Sequence, residues 1–267
     1  MIRAAIIGAT GRMGLAIARA ASRSSDVRIT AAVASPSSDK RGRDLGELAG
    51  CGTLGVPVDT QIDAVLERAD VVIDFSQPAA TSANVAACRA MRKPLLVGTT
   101  GFAAELERAF DAAAKEIPLL VAPNTSIGVT LLIELVRQAA AALPREFDIE
   151  IVEAHHRGKK DAPSGTALAL GRAAAQGRGV SLDDVAVKNR ADSGPRRDGD
   201  IGFAVVRGGD IVGEHSVLFA GDGEQLTLTH RATDRAIFAQ GALRAAVWLA
   251  GQPPGRYSMR DFLIKKQ

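Results

Sequence analysis

Titratable and cationic side chains crowd one short segment, residues 153–167, which reads EAHHRGKKDAPSGTA. His155 and His156 are adjacent, and Lys159 follows close behind. An imidazole exchanges protons near neutral pH, and an ammonium group neutralises anions. The segment follows a predicted strand, and loops after strands commonly carry binding and catalytic groups. The combination favours a catalytic site over the alternatives of a structural histidine or a solvated lysine pair.

The end of the same segment predicts a binding site for a carboxylate. Pro163 has a fixed φ, and Ser164 is a natural N-cap for a following helix. Gly165 and Thr166 would then present backbone N–H groups in the first turn, at the positive end of the helix dipole. A metal site is the weaker alternative, because adjacent histidines on extended backbone point to opposite faces and no acidic or cysteine partner lies at ligand spacing.

A glycine-rich segment, IIGATGRMG at residues 6–14, follows the first predicted strand. Gly8 permits a tight turn, Thr10 and Gly11 permit close approach of a pyrophosphate to the backbone, and Gly14 lets the helix pack against the strand. Because Thr10 replaces the middle glycine of the usual G-x-G-x-x-G pattern, an ordinary strand-to-helix turn is the alternative. The surrounding order of strand, loop, helix and strand favours a dinucleotide.

The tip of the second predicted strand bears on which dinucleotide binds. An acidic residue there recognises the 2′-hydroxyl of the adenosine ribose in NAD. Here the strand ends at Ala34, and serines precede Lys40 and Arg41. A 2′-phosphate would meet no repulsion, so we predict that NADPH is used at least as well as NADH. The alternative is that Lys40 and Arg41 belong to a solvated loop.

The first half of the chain alternates short apolar runs with helix-like segments. Strands are predicted at residues 4–7, 27–34, 71–75, 95–97 and 119–122, and helices at 15–21, 79–91 and 103–116. Runs that are apolar throughout are typical of strands buried on both faces. The fold class is therefore α/β, with a doubly wound parallel sheet.

The pattern changes near Asn124. Helices are predicted at residues 127–143, 166–176 and 236–250, a strand at 147–153, and three alternating strands at 201–207, 211–220 and 224–230. Alternation predicts an α+β second domain with a mixed or antiparallel sheet. The polar segment 181–199 is predicted to be a mobile loop.

Four further residues receive structural interpretations. His215 and His230 are interpreted as sheet residues, because they lie in alternating strands. Arg207 is interpreted as a turn or interface contact rather than a catalyst. Asp161 either orients Lys160 or is exposed.

The composition excludes several classes of protein. The 267 residues are 46% hydrophobic and 24% charged, which is typical of a globular protein, and the net charge is only +3. No basic run interleaved with aromatics suggests nucleic-acid binding, and no apolar stretch suggests a membrane span. The N-terminus does not resemble a signal peptide. Cys51 and Cys88 lack ligand spacing and are predicted to be free thiols, as suits a cytoplasmic protein.

Six stretches together identify a resemblance to the bacterial 4-hydroxy-tetrahydrodipicolinate reductases over essentially the whole chain. They are GATGRMG at 8–14, DFSQP at 74–78, VGTTGF at 97–102, APNTSIGV at 122–129, EAHHRGKKDAPSGTAL at 153–168 and IGFAVVRGGDIVGEH at 201–215. The histidine–lysine–SGTA stretch is highly specific to that family, whereas the glycine loop alone is not.

The resemblance implies a homotetramer of two-domain subunits. Residues 1–126 and 236–267 would bind the dinucleotide, NADPH or NADH, and residues 127–235 would bind substrate and form the tetramer. His155 would donate or accept a proton, and Lys159 would donate a proton or orient the substrate. His156, Gly165 and Thr166 would hold the carboxylates. The residues expected to line the cofactor are Gly8, Ala9, Thr10, Gly11, Arg12, Met13, Gly98, Thr99, Thr100, Ala122, Pro123, Asn124 and Thr125.

Three positions depart from the family pattern. Members often carry an acidic residue at the position of Ala34 and an Arg at that of Ser35, so the cofactor preference stays open. Thr125 stands where many members carry an aromatic residue near the nicotinamide. Gln77 stands where some members carry Arg.

The implied reaction is the reduction of a small cyclic dicarboxylate imine in lysine and diaminopimelate biosynthesis. Such chemistry requires a hydride donor, cations and N–H groups for two carboxylates, and a proton source near neutral pH. The alternatives are an aspartate-semialdehyde or homoserine dehydrogenase, and a non-catalytic dinucleotide sensor. The histidine pair beside SGTA argues against the dehydrogenases, and a sensor need not keep His155 and Lys159.

Overall fold

A computed structural model of the chain describes residues 1–101 and 104–264. The chain divides into two compact units, residues 1–127 with the segment from 236 onward, and residues 128–235. The sequence places these divisions at 126/127 and 235/236, and the roles predicted for the two domains stay predictions. Phe102 of the quoted motif, Ala103 at the start of a predicted helix, and residues 265–267 lie outside the described residues.

The elements follow one another along the chain as strands and helices of very different length. The strands are β1 (Ile2–Ile7), β2 (Val27–Val33), β3 (Val58–Asp59), β4 (Val71–Asp74), β5 (Leu95–Val97), β6 (Pro118–Val121), β7 (Asp148–His155), β8 (Ala186–Val187), β9 (Ile201–Arg207), β10 (Gly213–Gly221), β11 (Glu224–Ala232) and β12 (Gly255–Tyr257). The helices are α1 (Arg12–Ala21), α2 (Leu45–Ala49), α3 (Asp63–Leu66), α4 (Pro78–Ala90), α5 (Ala104–Ala114), α6 (Ile127–Ala142), α7 (Gly165–Arg178), α8 (Leu182–Val185), α9 (Ala236–Leu249) and α10 (Met259–Ile264), with a 3-10 turn at Arg190–Asp192.

The first unit contains a parallel sheet with the strand order β12-β6-β5-β4-β1-β2-β3. Alternate side chains of β1 pack in two different hydrophobic clusters. Ala4 and Ile6 belong to a cluster that includes residues of α1 and α9, whereas Ala5 and Ile7 belong to one that includes residues of α4 and α5. The prediction of a doubly wound parallel sheet is confirmed, and burial on both faces explains why its strands are apolar throughout.

The sequence did not predict several short elements of this unit: β3, β12, α2, α3 and α10. Each spans six residues or fewer, which is too short for a hydrophobic period to be recognised. Side-chain hydrogen bonds fix one of them. Asp44 caps α2 by accepting the backbone N–H groups of Gly46 and Glu47, and it also accepts those of Leu54 and Val56.

The second unit contains a five-stranded sheet with the order β11-β10-β7-β9-β8. Strand β10 runs antiparallel to β7 and β11, whereas β9 runs parallel to β7 and β8, so the prediction of a mixed sheet is confirmed. Val136 of α6 and Leu170 of α7 belong to the same buried cluster as Ile149 and Ile151 of β7. The carboxyl end of β7 is joined to the start of α7 by residues 156–164, which form the β7–α7 turn.

The prediction of a single mobile loop at residues 181–199 is wrong, because the segment contains α8, β8 and the 3-10 turn. Arg190 bonds Glu150 at 2.9 Å, and Arg196 bonds both Asp148, at 2.6 Å, and Glu150. The charges that suggested a solvated loop therefore pair with carboxylates of β7. Such partners are invisible in the local sequence because they lie about forty residues earlier in the chain.

Three features outside the sheets complete the description. Cys51 and Cys88 are free thiols. Within residues 1–101 and 104–264, no helix has the length and apolar character needed to cross a membrane. The same residues contain no group of three or more His, Cys, Asp or Glu arranged to hold a metal ion.

Candidate active site

The end of β7 places an acid and an imidazole side by side. Glu153 and His155 lie two residues apart on the strand, so their side chains share one face. The Glu153 carboxylate is only 1% exposed, and its Oε2 lies 2.6 Å from Nδ1 of His155. A buried carboxylate therefore contacts the ring that the sequence predicts to be catalytic.

Further donors surround the Glu153 carboxylate. Arg207 approaches in a bidentate geometry, with Nη1 donating to Oε2 at 2.7 Å and Nη2 to Oε1 at 2.8 Å. The backbone N–H of Ser164 donates to Oε1 at 2.9 Å. Burial alone would raise the pKa of Glu153, but the hydrogen bonds from Arg207, His155 and Ser164 outweigh it and lower the pKa below its ordinary value. Glu153 is therefore ionised at neutral pH.

A second imidazole lies against the first. The rings of His155 and His215 meet edge to face, with their centroids 5.0 Å apart. His215 is buried, its Nε2 lies 3.0 Å from Oγ of Ser164, and burial lowers its pKa to about 4. Burial also lowers the pKa of His155, although Glu153 acts in the opposite direction. His215 is thus neutral at pH 7 and cannot supply a second positive charge there.

Lys159 is held by Asp161 in the turn that follows β7. Its Nζ lies 2.8 Å from both carboxylate oxygens of Asp161, and this contact lowers the pKa of the acid. Of the two expectations for Asp161, exposure is confirmed, whereas the lysine that it contacts is Lys159 and not Lys160, which is itself exposed. Arg207 donates to the backbone carbonyl of Asp161 at 2.6 Å. The interpretation of Arg207 as a turn or interface contact is incomplete, because this side chain joins Glu153 to the Lys159 turn.

The turn ends at the N-terminus of α7. Ser164 caps the helix by accepting the backbone N–H of Ala167 at 3.1 Å, which confirms the predicted N-cap. The helix begins at Gly165 rather than Thr166, and its first turn contains no acidic residue. The N–H groups of Gly165 and Thr166 thus lie at the positive end of the dipole. His156 is half-buried in the same turn, where its carbonyl accepts the N–H of Lys159.

The structure adds three residues to those predicted for this turn, namely Glu153, Arg207 and His215. Sequence reasoning did not single out Glu153 and gave the other two structural interpretations, of which that of His215 as a sheet residue is confirmed. One signal could have found Glu153, which precedes His155 by two residues in an alternating strand. Arg207 pairs with His155 in the register of β7 and β9, and His215 pairs with Glu153 in that of β7 and β10. Those two contacts depend on strand register, which the local sequence does not reveal.

In the first unit, two glycines after β1 lie where a Cβ would meet backbone atoms. Gly8 has a φ of +76°, and a Cβ there would lie 2.5 Å from the carbonyl oxygen of Phe75. A Cβ on Gly14 would lie 2.4 Å from the carbonyl oxygen of Gly8. Helix α1 begins at Arg12 with Gly11 as its N-cap, no side chain caps it, and its first turn contains no acidic residue. The arrangement fits a pyrophosphate, whose oxygens accept backbone N–H groups.

Two more predicted segments follow strands at the same edge of the parallel sheet. Gly98 follows β5, and a Cβ there would lie 2.2 Å from the ring of Phe75. Thr99 is buried and Thr100 is exposed. The structure therefore places the segments after β1 and β5 together at the carboxyl edge, where open α/β sheets bind ligands.

The segment after β6 contributes a different kind of contact. Ala122 is buried, Pro123 is exposed, and the Asn124 side chain accepts the backbone N–H of Ser126. Thr125 is 2% exposed, and its hydroxyl donates to the carbonyl of Phe238 in α9 at 2.7 Å. This hydroxyl is therefore committed to holding α9.

The residues near the tip of β2 fulfil only part of the expectation for a site that binds the 2′-phosphate of NADPH. Ala34 is buried, and its N–H bonds the carbonyl of Asp59 in β3. Lys40 pairs with Asp39 of its own loop at 2.6 Å. The preference for NADPH stays a prediction.

Comparisons with known proteins agree with this geometry. Two family models match the chain, one described as "Dihydrodipicolinate reductase, N-terminus" over residues 2–125 and one as "Dihydrodipicolinate reductase, C-terminus" over residues 128–263. Together they span nearly all of the sequence, and their border falls between the two units.

Individual relatives give the same result. The curated 4-hydroxy-tetrahydrodipicolinate reductase of Alkalilimnicola ehrlichii is 52% identical over 262 residues, which is 98% of each chain. That of Ruegeria pomeroyi is 51% identical over 97% of this chain and 96% of its own. The solved structure of dipicolinate-bound dihydrodipicolinate reductase from Paenisporosarcina sp. TG-14 is similar with a TM-score of 0.76 and 27% identity over 97% of both chains. The chain therefore belongs to the dihydrodipicolinate reductase family.

Proposed function

We propose that the protein reduces 4-hydroxy-tetrahydrodipicolinate to tetrahydrodipicolinate with NADPH or NADH, in the biosynthesis of lysine and diaminopimelate. The observation that carries the proposal is the position of His155 at the end of β7, of Lys159 in the turn that follows, and of the N-terminus of α7, which Ser164 caps, at the end of that turn. The two curated relatives named above carry the same activity in their names.

The turn after β7 supplies what a cyclic dicarboxylate requires. The N–H groups of Gly165 and Thr166 bind one carboxylate at the positive end of α7, and His156 contributes to the carboxylate contacts. Lys159, which Asp161 holds in place, provides the cation. The solved relative is described as bound to dipicolinate, a ring with two carboxylates.

His155 exchanges the proton. Once the hydroxyl group of the substrate has left as water, the ring holds a conjugated C=C–C=N system, and hydride from the dinucleotide would add to its far carbon. Negative charge then flows toward nitrogen and must be met by a proton. The imidazole lies beside an ionised carboxylate, which stabilises its protonated form. Cations and N–H groups nearby stabilise the developing charge on the substrate.

The first unit holds the dinucleotide. Residues Gly8–Met13 would hold the pyrophosphate, since Gly11 begins α1 without a side-chain cap and the first turn of that helix contains no acidic residue. Gly98–Thr100 and Ala122–Thr125 line the remainder of the site. The bound dinucleotide supplies the hydride. Because no acid stands at Ala34, NADPH is expected to serve at least as well as NADH.

The finer biological assignments belong to the same proposal. We expect a cytoplasmic homotetramer that acts on a small molecule and binds neither nucleic acid nor membranes. The small net charge and the absence of a basic, aromatic-rich run in the sequence support this expectation.

The test is oxidation of NADPH, followed by absorbance, with freshly generated hydroxy-tetrahydrodipicolinate and then with NADH in place of NADPH. We expect turnover with both dinucleotides and none without the cyclic substrate. Turnover of aspartate semialdehyde or homoserine instead would contradict the proposed substrate. A preference for NADH of about 100-fold would contradict the cofactor prediction alone.

A further inference from the structure

The Glu153 carboxylate accepts four hydrogen bonds within the second unit. Oε1 accepts the Ser164 N–H and one Arg207 N–H, and Oε2 accepts the other Arg207 N–H and lies against Nδ1 of His155. A carboxylate offers about four lone-pair sites and, when ionised, no proton. The carboxylate is thus saturated by donors.

This arrangement determines which nitrogen of His155 carries hydrogen when the ring is neutral. Because Glu153 is ionised and can only accept, the contact of 2.6 Å requires Nδ1 to be the donor. The neutral ring is therefore the Nδ1–H tautomer, and Nε2 carries the lone pair. Proton exchange with a substrate then falls to Nε2.

Gly213 of β10 lies beside that nitrogen. A Cβ on Gly213 would lie 3.1 Å from Nε2 of His155, so any larger residue would crowd it. The ring is thus anchored at Nδ1, and the missing side chain of Gly213 keeps space beside Nε2.

We propose that Glu153 is the positioning residue of the reaction: with Arg207 it fixes His155 as the Nδ1–H tautomer and directs Nε2 toward the substrate. The claim that Nε2 faces the substrate rests on the proposed function, whereas the claim about the tautomer of His155 does not. Arg207 has a second effect, since it also bonds the carbonyl of Asp161 and so ties the Lys159 turn to the same carboxylate.

The charged neighbours of His155 come from several elements. Glu153 on β7 favours the protonated ring, whereas Lys159 in the turn and Arg207 on β9 oppose it. His215 on β10 is neutral at pH 7, and His230 on β11 faces His215 rather than His155. Asp161 is engaged with Lys159. Removal of the Glu153 charge should therefore lower the pKa of His155.

The first experiment observes the tautomer in the protein with Glu153 unchanged. Protein labelled with ¹⁵N in its histidines is studied by NMR at about pH 8, above the ordinary histidine pKa of about 6.5. The His155 signals are assigned by their loss in His155→Ala. We expect the chemical shifts of a protonated Nδ1 and an unprotonated Nε2. The opposite tautomer would overturn the proposal whatever the substrate, so its failure is distinguishable from failure of the proposed function.

The second experiment compares two variants on one strand. Glu153→Gln replaces the ionised, acceptor-only carboxylate beside His155 by a neutral amide that can accept or donate, whereas Glu150→Gln removes a carboxylate of β7 that pairs with Arg190 and Arg196 instead. In Glu153→Gln we expect mixed tautomers, a lower His155 pKa and an alkaline limb of the kcat profile moved to lower pH, because the protonated ring is lost at a lower pH. We expect kcat to fall about 10- to 100-fold, a part of the 10²–10⁴ that acid–base catalysis contributes, with KM little changed.

Glu150→Gln should leave the tautomer, the pKa and kcat unchanged. Folded Glu153→Gln with an unaltered tautomer and pKa would overturn the proposal, because a merely structural role moves neither. If the unpaired Arg207 prevents folding, the double variant Glu153→Gln with Arg207→Gln removes both buried charges and is subject to the same readouts.

Discussion

The glycine loop of the first unit and the β7–α7 turn of the second differ in the atoms that form their surfaces. Around Gly8 and Gly14 the surfaces are backbone, and side chains are excluded by contacts of 2.5 Å or less. Around Glu153 the surfaces are ionised and aromatic side chains that bond one another across three strands.

The difference determines how each region responds to change. A site built from backbone requires positions without side chains, so an added Cβ damages it. A side-chain site is specified by partners that must be present, so it is damaged when one of them is removed and a buried charge or polar group is left unpaired. The predictions below test this contrast.

The largest effect is expected at His155. His155→Ala should lower kcat by about 10²–10⁴-fold, the range of general acid–base catalysis. His230→Ala, the same substitution in β11 of the same sheet, is the control and should leave turnover unchanged. Steady-state rates with the cyclic substrate provide the measurement. Full turnover in folded His155→Ala would remove this residue from the mechanism.

The second-largest effect is expected at Lys159, the proposed cation of the site. Lys159→Ala should lower kcat/KM by about 10- to 100-fold, the equivalent of one hydrogen bond to a charged group, and should change both KM and kcat. Lys160→Ala provides a matched control, since the neighbouring lysine is exposed. If Lys159→Ala altered only the melting temperature, the side chain would have a structural role instead.

A smaller effect is expected in the glycine loop. Gly14→Ala should lower the free energy of unfolding by about 1–3 kcal/mol, because the new Cβ meets backbone that cannot move cheaply. It should also weaken NADPH binding, measured by fluorescence titration. Gly251→Ala is the control, where a Cβ meets its nearest neighbour at 3.8 Å. Equal effects of the two substitutions would contradict the close packing inferred here.

The smallest effect is expected at the start of α7. Ser164→Ala should lower the free energy of unfolding by about 1 kcal/mol, the usual cost of a lost N-cap, and Ser164→Thr should retain most of it. Ser181→Ala is matched to it, because Ser181 is the N-cap residue of α8 but makes no side-chain cap hydrogen bond. Urea unfolding measures the free energy of unfolding of both alanine variants. A loss at Ser181 as large as at Ser164 would refute the capping role.

Much of the fold follows from the sequence because its signals are local. The strand β9 has the predicted bounds, 201–207, and the N-cap at Ser164 was predicted from the proline before it. The glycine loop was predicted because φ and close packing act on single residues. The candidate site was predicted only in part, since Glu153, Arg207 and His215 were missed or given structural interpretations.

The sequence by itself determined the alternation of strands and helices, the uncovered backbone after β1, and the stretch of histidines, lysine and capped helix after β7. Only the tertiary structure decided the partners of those side chains. Arg207 lies 54 residues from Glu153 along the chain, and His215 lies 51 residues from Ser164. Propensity and spacing act over one or two turns of chain, whereas a buried ion pair is selected by strand register and by the cost of leaving a charge unpaired.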